Sequence, residues 1–363
     1  MATLVRLAER GYLPDAVVRR GIRLMLLQRL REQARLESSS DDDDPRAGFD
    51  EFVRALQASP IALCPEKANE QHYELPPEFF VHVLGPRLKY SCCYWPRGVR
   101  SLAEAEEAML QLTAQRAGLR DGQRVLDLGC GWGSFTLWAA ERYPKSVFHA
   151  VSNSAAQRTF IEARARERGL KNVHPLTADV NDFDPDTTFD RVVSIEMFEH
   201  LRNYPRILAR IAKWLRPHGE LFVHIFVHRQ YAYSYSTDGA TNWMGRYFFT
   251  GGSMPSDDLL PRFQRDLVLT DHWRLRGVHY QRTAEAWRER LEQSRAEILG
   301  IFSRTYGAHS AVLWYNRWRL FFLACEEMFG FRQGREWWVS HYRFDRRQAI
   351  GVASVQGRMP AVA

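Results

Sequence analysis

Arg124 to Phe135 reads R-V-L-D-L-G-C-G-W-G-S-F, and this stretch constrains the fold more than any other. Val125, Leu126 and Leu128 form a short apolar run of the kind a buried parallel strand shows. Gly129, Gly131 and Gly133 follow at alternate positions, and a helical stretch opens near Ser134. A glycine turn between strand and helix lets a ligand approach the backbone, because no Cβ stands in the way. The dinucleotide fingerprint is G-x-G-x-x-G; here the pattern is G-x-G-x-G, with Asp127 two residues ahead of the first glycine. The Gly-Lys-Ser/Thr ending of a phosphate-binding loop is missing.

Around this turn, strands and helices alternate. A helix is expected from Leu102 to Gly118, then strands at 124–130, 147–152, 173–178, 190–196 and 220–227. The helices between them are expected at about 133–142, 154–168 and 204–215. Such alternation predicts an α/β fold, a doubly wound and mostly parallel sheet that binds ligands at the carboxyl ends of its strands. The chemistry-bearing residues fall at those ends. The second strand runs into Ser152, Asn153, Ser154 and then Gln157, neutral groups where a nicotinamide enzyme would place a ribose-binding carboxylate. The third ends at Asp179-Val180, where Asp179 is placed either to accept from an adenine amino group or to cap a helix. The fourth ends in Ile195-Glu196-Met197-Phe198-Glu199-His200, two carboxylates and a histidine where an acceptor substrate would lie. Burial would raise a glutamate's pKa toward the range of a general base, and the adjacent imidazole could share the proton. The fifth strand adds His224 and, beyond it, His228, for which a structural role is the commoner one.

The flanks are less specific. A net charge of +7 suits an anionic membrane surface, nucleic acid or a plain enzyme, but no zinc-finger or RNP-like pattern supports a nucleic-acid partner. Much of the charge sits in a basic helix, Asp15 to Arg35, with Val18, Ile22, Met25 and Leu26 at helical spacing. Packing on the main domain is the first expectation for it; peripheral membrane contact or covering the substrate site is the other. Ser38 to Pro45 reads as a solvated linker, with Asp41 to Asp44 as like charges in water rather than a metal site. No apolar run reaches membrane-spanning length and no signal-peptide pattern opens the chain. The five cysteines lack metal-ligand spacing, so reduced thiols in a cytoplasm are expected, and no metal. Pro76-Pro77 is expected to break any helix, and Lys89 to Pro96, K-Y-S-C-C-Y-W-P, is unusually rich in tyrosine and thiol for a loop. Beyond the fifth strand, residues 230–285 are dense in aromatics and read as an insertion covering the acceptor site, through faces that attract cations or line apolar pockets. Helices near 284–300 and 309–329 and an aromatic strand, Trp337 to Phe344, complete the domain. The expected division is thus a helical extension over 1–85, one domain over 86–345 and a loose tail over 346–363.

Taken together, Y-S-C-C-Y-W at 90–95, V-L-D-L-G-C-G-W-G at 125–133, Ser154 to Gln157, M-F-E-H at 197–200, H-Y-x-R-T at 279–283 and the Trp337 to Phe344 strand resemble one superfamily. It is that of the S-adenosylmethionine-dependent cyclopropane-fatty-acid synthases and their relatives, with a class I methyltransferase, Rossmann-like fold. Within it, I-E-M-F-E-H-x-x-N-Y, A-Y-S-Y at 232–235 and E-M-F-G at 327–330 are most similar to coclaurine-N-methyltransferase-like enzymes. The resemblance implies that Tyr90 and Ser91 bind the cofactor carboxylate and Gly129, Cys130 and Gly131 its methionine portion. It further implies that Gln157 lies by the ribose and Asp179 by the adenine, with Asp127, Ser152, Asn153, Val180 and Ile195 completing the expected cofactor-binding set. Glu196, Glu199 and His200 fall on positions that act on or orient the amine in the N-methyltransferase branch. The lipid-acting branch has a bicarbonate-binding cluster whose matching positions here are Cys92, Glu199, His224 and Tyr280, with Phe226 where isoleucine is usual. The expected acceptor is therefore a hydrophobic small amine, with the double bond of a lipid acyl chain as the alternative.

Overall fold

The computed structural model describes residues 2–38, 47–63, 75–239 and 242–346. The acidic linker, Cys64 and the tail from 347 lie outside these residues.

Two helices, α1 (Ala2–Glu9) and α2 (Asp15–Ser38), open the chain, followed by α3 (Ala47–Ala58) and α4 (Pro77–Val83). Pro77 does not break a helix but begins one, because a first-turn residue has no intrahelical acceptor for the N–H that proline lacks. Helix α5 (Leu102–Arg116) starts at a capping box between Ser101 and Glu104. The strands and helices that follow are β1 (Arg124–Leu128), α6 (Ser134–Arg142), β2 (Val147–Ser152), α7 (Ala155–Glu167), β3 (Val173–Thr177) and β4 (Phe189–Ile195). After these come α8 (Tyr204–Trp214) and a long β5 (Leu215–His228). The insertion carries a small hairpin, β6 (Tyr233–Ser234) with β7 (Ser253–Met254), around the short α9 (Trp243–Tyr247). It then gives way to β8 (Leu267–Leu275), three helices, α10 (Val278–Gln293), α11 (Arg295–Tyr306) and α12 (Ala308–Gly330), and finally β9 (Trp337–Arg346).

The seven-stranded sheet has the order β3-β2-β1-β4-β5-β9-β8, parallel from β3 to β5, with β9 antiparallel to both its neighbours. The order reverses between β1 and β4, which opens a crevice at their carboxyl ends. Two expectations change here. Residues 267–275 of the presumed cover form the edge strand of the main sheet, so the cover ends before Leu267. Their alternation is weak in sequence, and pairing with β9 is what makes them a strand. The 284–300 helix is two helices, divided at Ser294, and the first of them starts at Val278.

Helix α2 packs on α12 through charge as much as through apolar contact. Arg19 donates to Glu326 and Glu327 at 2.6 Å each, and Arg319 reaches back to Asp15 at 2.6 Å. Arg19 and Arg23 of the basic helix thus pair with acids of α12, which favours the packed-helix expectation. No helix among the described residues is long and apolar enough to cross a membrane.

The loop from Lys89 to Trp95 crosses the carboxyl-end crevice and is pinned by α10. Thr283 Oγ1 accepts from the backbone N–H of Cys93 at 3.1 Å and from the indole N–H of Trp95 at 3.0 Å. His279 Nδ1 accepts from the Trp95 backbone at 3.2 Å. These bonds explain why Y-S-C-C-Y-W and H-Y-x-R-T occur together: one motif holds the other. Thr283→Val, which keeps the shape and removes the hydroxyl, should leave two buried donors unpaired and cost about 2 kcal/mol or more of stability. Urea midpoints against wild type and Thr283→Ser would check this.

Candidate functional site

Gly129 adopts a φ of +84°, and a Cβ there would meet the Met197 side chain at 2.8 Å, so only glycine fits between β1 and the start of the β4 loop. Gly131, at φ +52°, would direct a Cβ into open space, the side from which a ligand can reach the backbone. Two contiguous cavities meet at this turn. The first is lined by Gly129, Gly131, Ser152, Asn153, Gln157, Asp179 and Val180, with Met197 and His200 on the far wall. The second is lined by Tyr90, Ser91, Asp127, Gly129, Cys130, Gly131 and Ile195. All twelve residues expected to hold the cofactor therefore border one or other of two cavities that share Gly129, Gly131 and Glu196.

Its donors and acceptors are specific. Ser152 Oγ donates to Gln157 Oε1 at 2.5 Å, and this turns the buried Gln157 Nε2 away with no acceptor of its own, a donor suited to a ribose hydroxyl. Asp179 Oδ1 accepts from the Asn181 backbone at 2.7 Å, so its turn-capping role is real and occupies one of its two oxygens. Asp127 is buried and accepts from Thr136 at 2.6 Å. Burial raises its pKa to about 7 and the Thr136 bond opposes this, so a cation entering the cavity would favour its ionised form. Lys89 escaped the sequence reading: fully buried, it donates to Ser91 Oγ at 2.5 Å and to the Cys92 carbonyl at 2.8 Å, fixing the loop that bears Tyr90. Nothing in local pattern marks a lysine that will be buried.

A third, aromatic-walled cavity adjoins these, bordered by Tyr90, Glu196, Glu199, His200, Phe226, Phe249, Tyr280 and Trp287. Its floor is the Glu196 carboxylate. Cys92 donates its backbone N–H to Oε1 at 2.9 Å, His224 Nε2 lies 3.1 Å from the same oxygen, and the Tyr280 hydroxyl donates to Oε2 at 2.6 Å. Glu196 adopts a φ of +47°, in the left-handed region disfavoured for a residue with a Cβ. Burial raises its pKa, opposed by the positive charge of Lys89 and by the Tyr280 and Cys92 hydrogen bonds. Glu199 is different. It is 1% exposed, and its Oε2 has no hydrogen-bond partner. Burial, and then the neighbouring Glu196 charge, push its pKa well above the carboxylate range. His200 lies flat against Phe249, with ring centroids 4.9 Å apart, at the boundary between this cavity and the cofactor space.

Three expectations are corrected by this geometry. Cys92, His224 and Tyr280 gather around Glu196, not around Glu199, because the left-handed turn at Glu196 folds its side chain into the place between them. Cys92 contributes its backbone N–H alone; its buried thiol faces the Cys93 carbonyl at 3.3 Å, with its pKa raised by burial. His224 borders none of these cavities and meets the site only through Glu196. His228 is structural, its Nδ1 accepting from the backbone of Gln230 at 3.0 Å and Tyr231 at 2.7 Å. Among the described residues no group of acids, thiols and imidazoles could hold a metal ion, and Cys92, Cys93, Cys130 and Cys325 are free and buried.

The profile of mycolic acid cyclopropane synthetases matches residues 64–336. The (S)-coclaurine N-methyltransferase of Thalictrum flavum subsp. glaucum is 37% identical over 348 residues, 95% of each chain. The cyclopropane-fatty-acyl-phospholipid synthase of Escherichia coli K12 is 32% identical over 241 residues, 66% of this chain and 60% of the relative. Among solved structures, a coclaurine N-methyltransferase bound to N-methylheliamine and S-adenosylhomocysteine superposes with a TM-score of 0.89 at 36% identity, covering 95% of this chain and 99% of the other. The sheet, its glycine turn and the cavity at the switch point are those of a class I methyltransferase. The chain belongs to the mycolic acid cyclopropane synthetase family and is an S-adenosylmethionine-dependent methyltransferase within it.

Proposed function

We propose that this enzyme methylates the nitrogen of a hydrophobic small amine. The observation that carries the reading is the orphaned Glu199 Oε2, a buried carboxyl oxygen without a partner in a cavity walled by aromatic rings. An unmatched buried acid is costly unless something completes it, and an amine completes it with both charge and a donor N–H. The aromatic walls suit the rest of such a molecule and attract its cationic form. The names of the N-methyltransferase relatives point the same way. An alkene of an acyl chain brings neither a charge nor an N–H donor to Glu199 on binding.

S-adenosylmethionine supplies an electrophilic methyl on a sulfonium. The residues of the cavities fit it: the glycine turn admits close approach, Gln157 Nε2 offers a free donor and Asp127 an acid responsive to positive charge. On the acceptor side, Glu199 takes the proton of the entering ammonium, which frees the nitrogen lone pair. Nitrogen then bonds to the methyl carbon as the carbon–sulfur bond breaks, its electron pair remaining on sulfur, and the product leaves as a charged, methylated amine. Tyr90 borders both the cofactor cavity and the acceptor cavity and limits where the two can meet. His200, on the same boundary, closes the space beside Glu199. Catalysis of this kind is mainly positioning, worth up to roughly 7–11 kcal/mol in well-ordered cases. Bicarbonate has no part in the scheme: three of its four expected ligands already hold the Glu196 carboxylate, which occupies the place an added anion would need.

Glu199→Gln should lower kcat/KM for amine methylation by about 100-fold or more while leaving calorimetric S-adenosylmethionine affinity within a few-fold. In the wild type, the acid limb of kcat/KM should lie above the usual carboxylate range. Burial raises the Glu199 pKa, so the proton-accepting form is lost as pH falls through that raised value. Retained activity in Glu199→Gln would refute the assignment. Glu196→Gly should remove the anion and relieve the left-handed strain of about 1–3 kcal/mol, leaving a folded enzyme with low activity. Formate or bicarbonate, added to that variant, should partly restore the rate and leave the wild-type rate unchanged.

A further inference from the structure

Behind Glu196 runs a chain of hydrogen bonds that ends at a guanidinium. His224, on β5, and His341, on β9, are direct partners across the antiparallel pair. His341 Nε2 lies 2.9 Å from His224 Nδ1, and His224 Nε2 lies 3.1 Å from Glu196 Oε1. At the other end, Arg116 Nη1, from the last turn of α5, lies 2.9 Å from His341 Nδ1. Both histidines are fully buried. Burial holds both below their ordinary pKa range, helped by the positive charges of Arg116 and Lys89 and, for His341, by His224, so each ring carries one N–H.

We propose that Arg116 fixes the direction of this relay, and so keeps Glu196 as the acceptor at its end. A guanidinium has donors and no acceptor and does not give up its proton in proteins. His341 Nδ1 facing it must therefore be the bare nitrogen, which places the His341 proton on Nε2. His341 Nε2–H then donates to His224 Nδ1, which in turn places the His224 proton on Nε2, aimed at Glu196 Oε1. The reverse arrangement, with a protonated Glu196 donating to His224, would end in two donors facing each other at Arg116. One charge on a helix end thus selects one of two tautomers in each of two rings. The setting of Arg116 agrees: it is partly buried, forms no ion pair with any described carboxylate, and lies over the Trp273 ring at 5.0 Å, so its polar engagement is His341. Arg116 and His341 are positioning residues; they line none of the three cavities. The proposal adds to the reading of Glu196 as the floor of the acceptor site, but its direct test needs no acceptor.

Nitrogen-15 NMR of imidazole-labelled, unliganded enzyme reads the tautomers. The expected spectrum has His224 and His341 both neutral and both protonated at Nε2; an Nδ1–H tautomer at either would overturn the proposal, whatever the acceptor proves to be. Arg116→Met should move the His341 proton partly or wholly to Nδ1, and lower kcat for methyl transfer about 10–100-fold with little change in KM for S-adenosylmethionine. Arg116→Lys, still a donor without an acceptor, should restore the wild-type tautomers and most of the rate. Wild-type tautomers in Arg116→Met would refute the role of Arg116. Should that variant fail to fold, the wild-type spectrum decides alone.

Discussion

A carboxylate stripped of water costs several kcal/mol, and the site is organised around repaying that cost at Glu196. The three donors that close on it come from separate parts of the chain: Cys92 from the loop before α5, His224 from β5 and Tyr280 from the first turn of α10. The anion therefore joins the sheet, the crossing loop and the C-terminal helices at one point. It also accounts for the strained backbone at Glu196, since the left-handed turn is what brings the carboxylate within reach of all three.

The same anion sets the character of its neighbour. Glu196 has hydrogen-bond donors and the nearby Lys89 charge; Glu199, three residues on, has an oxygen with no partner and feels Glu196 as a like charge. Two glutamates on one strand end thus meet different surroundings, one held by three hydrogen-bond donors and one with a carboxyl oxygen left without a partner. The cofactor half of the site is built differently. There the backbone of the glycine turn, the Ser152–Gln157 pair and the half-occupied Asp179 offer shape and neutral donors and acceptors, with Asp127 as a buried acid whose ionisation responds to a cation. Such a division suits a reaction in which the donor needs to be held and the acceptor needs to lose a proton.

The N-terminal helices and the insertion serve this arrangement from outside. Arg19 and Arg319 bind α2 to α12, and Phe248 of the insertion stacks on Phe321 of α12 with centroids 4.4 Å apart. The aromatic-walled cavity is therefore bordered by segments far apart in sequence, among them Tyr90, Phe249 and Trp287. Asp257 anchors the return of the insertion to the sheet, accepting from Ser340 at 2.5 Å and Arg274 at 2.7 Å.

What local pattern could carry, the sequence determined: the strand–glycine–helix turn, the five parallel strands, and the clustering around the glycine turn of the residues at strand ends expected to meet the cofactor, because strand ends in such a sheet converge on one edge. The family likeness was legible for the same reason, its motifs being short and contiguous. The partnerships that give those residues their chemistry were decided by tertiary structure. Lys89 is buried, Glu196 rather than Glu199 takes the three donors, residues 267–275 become an edge strand, and Arg116 meets His341 across 225 positions of chain. Each depends on which distant groups arrive beside it, and desolvation and hydrogen bonding act on that company and not on the neighbouring letters.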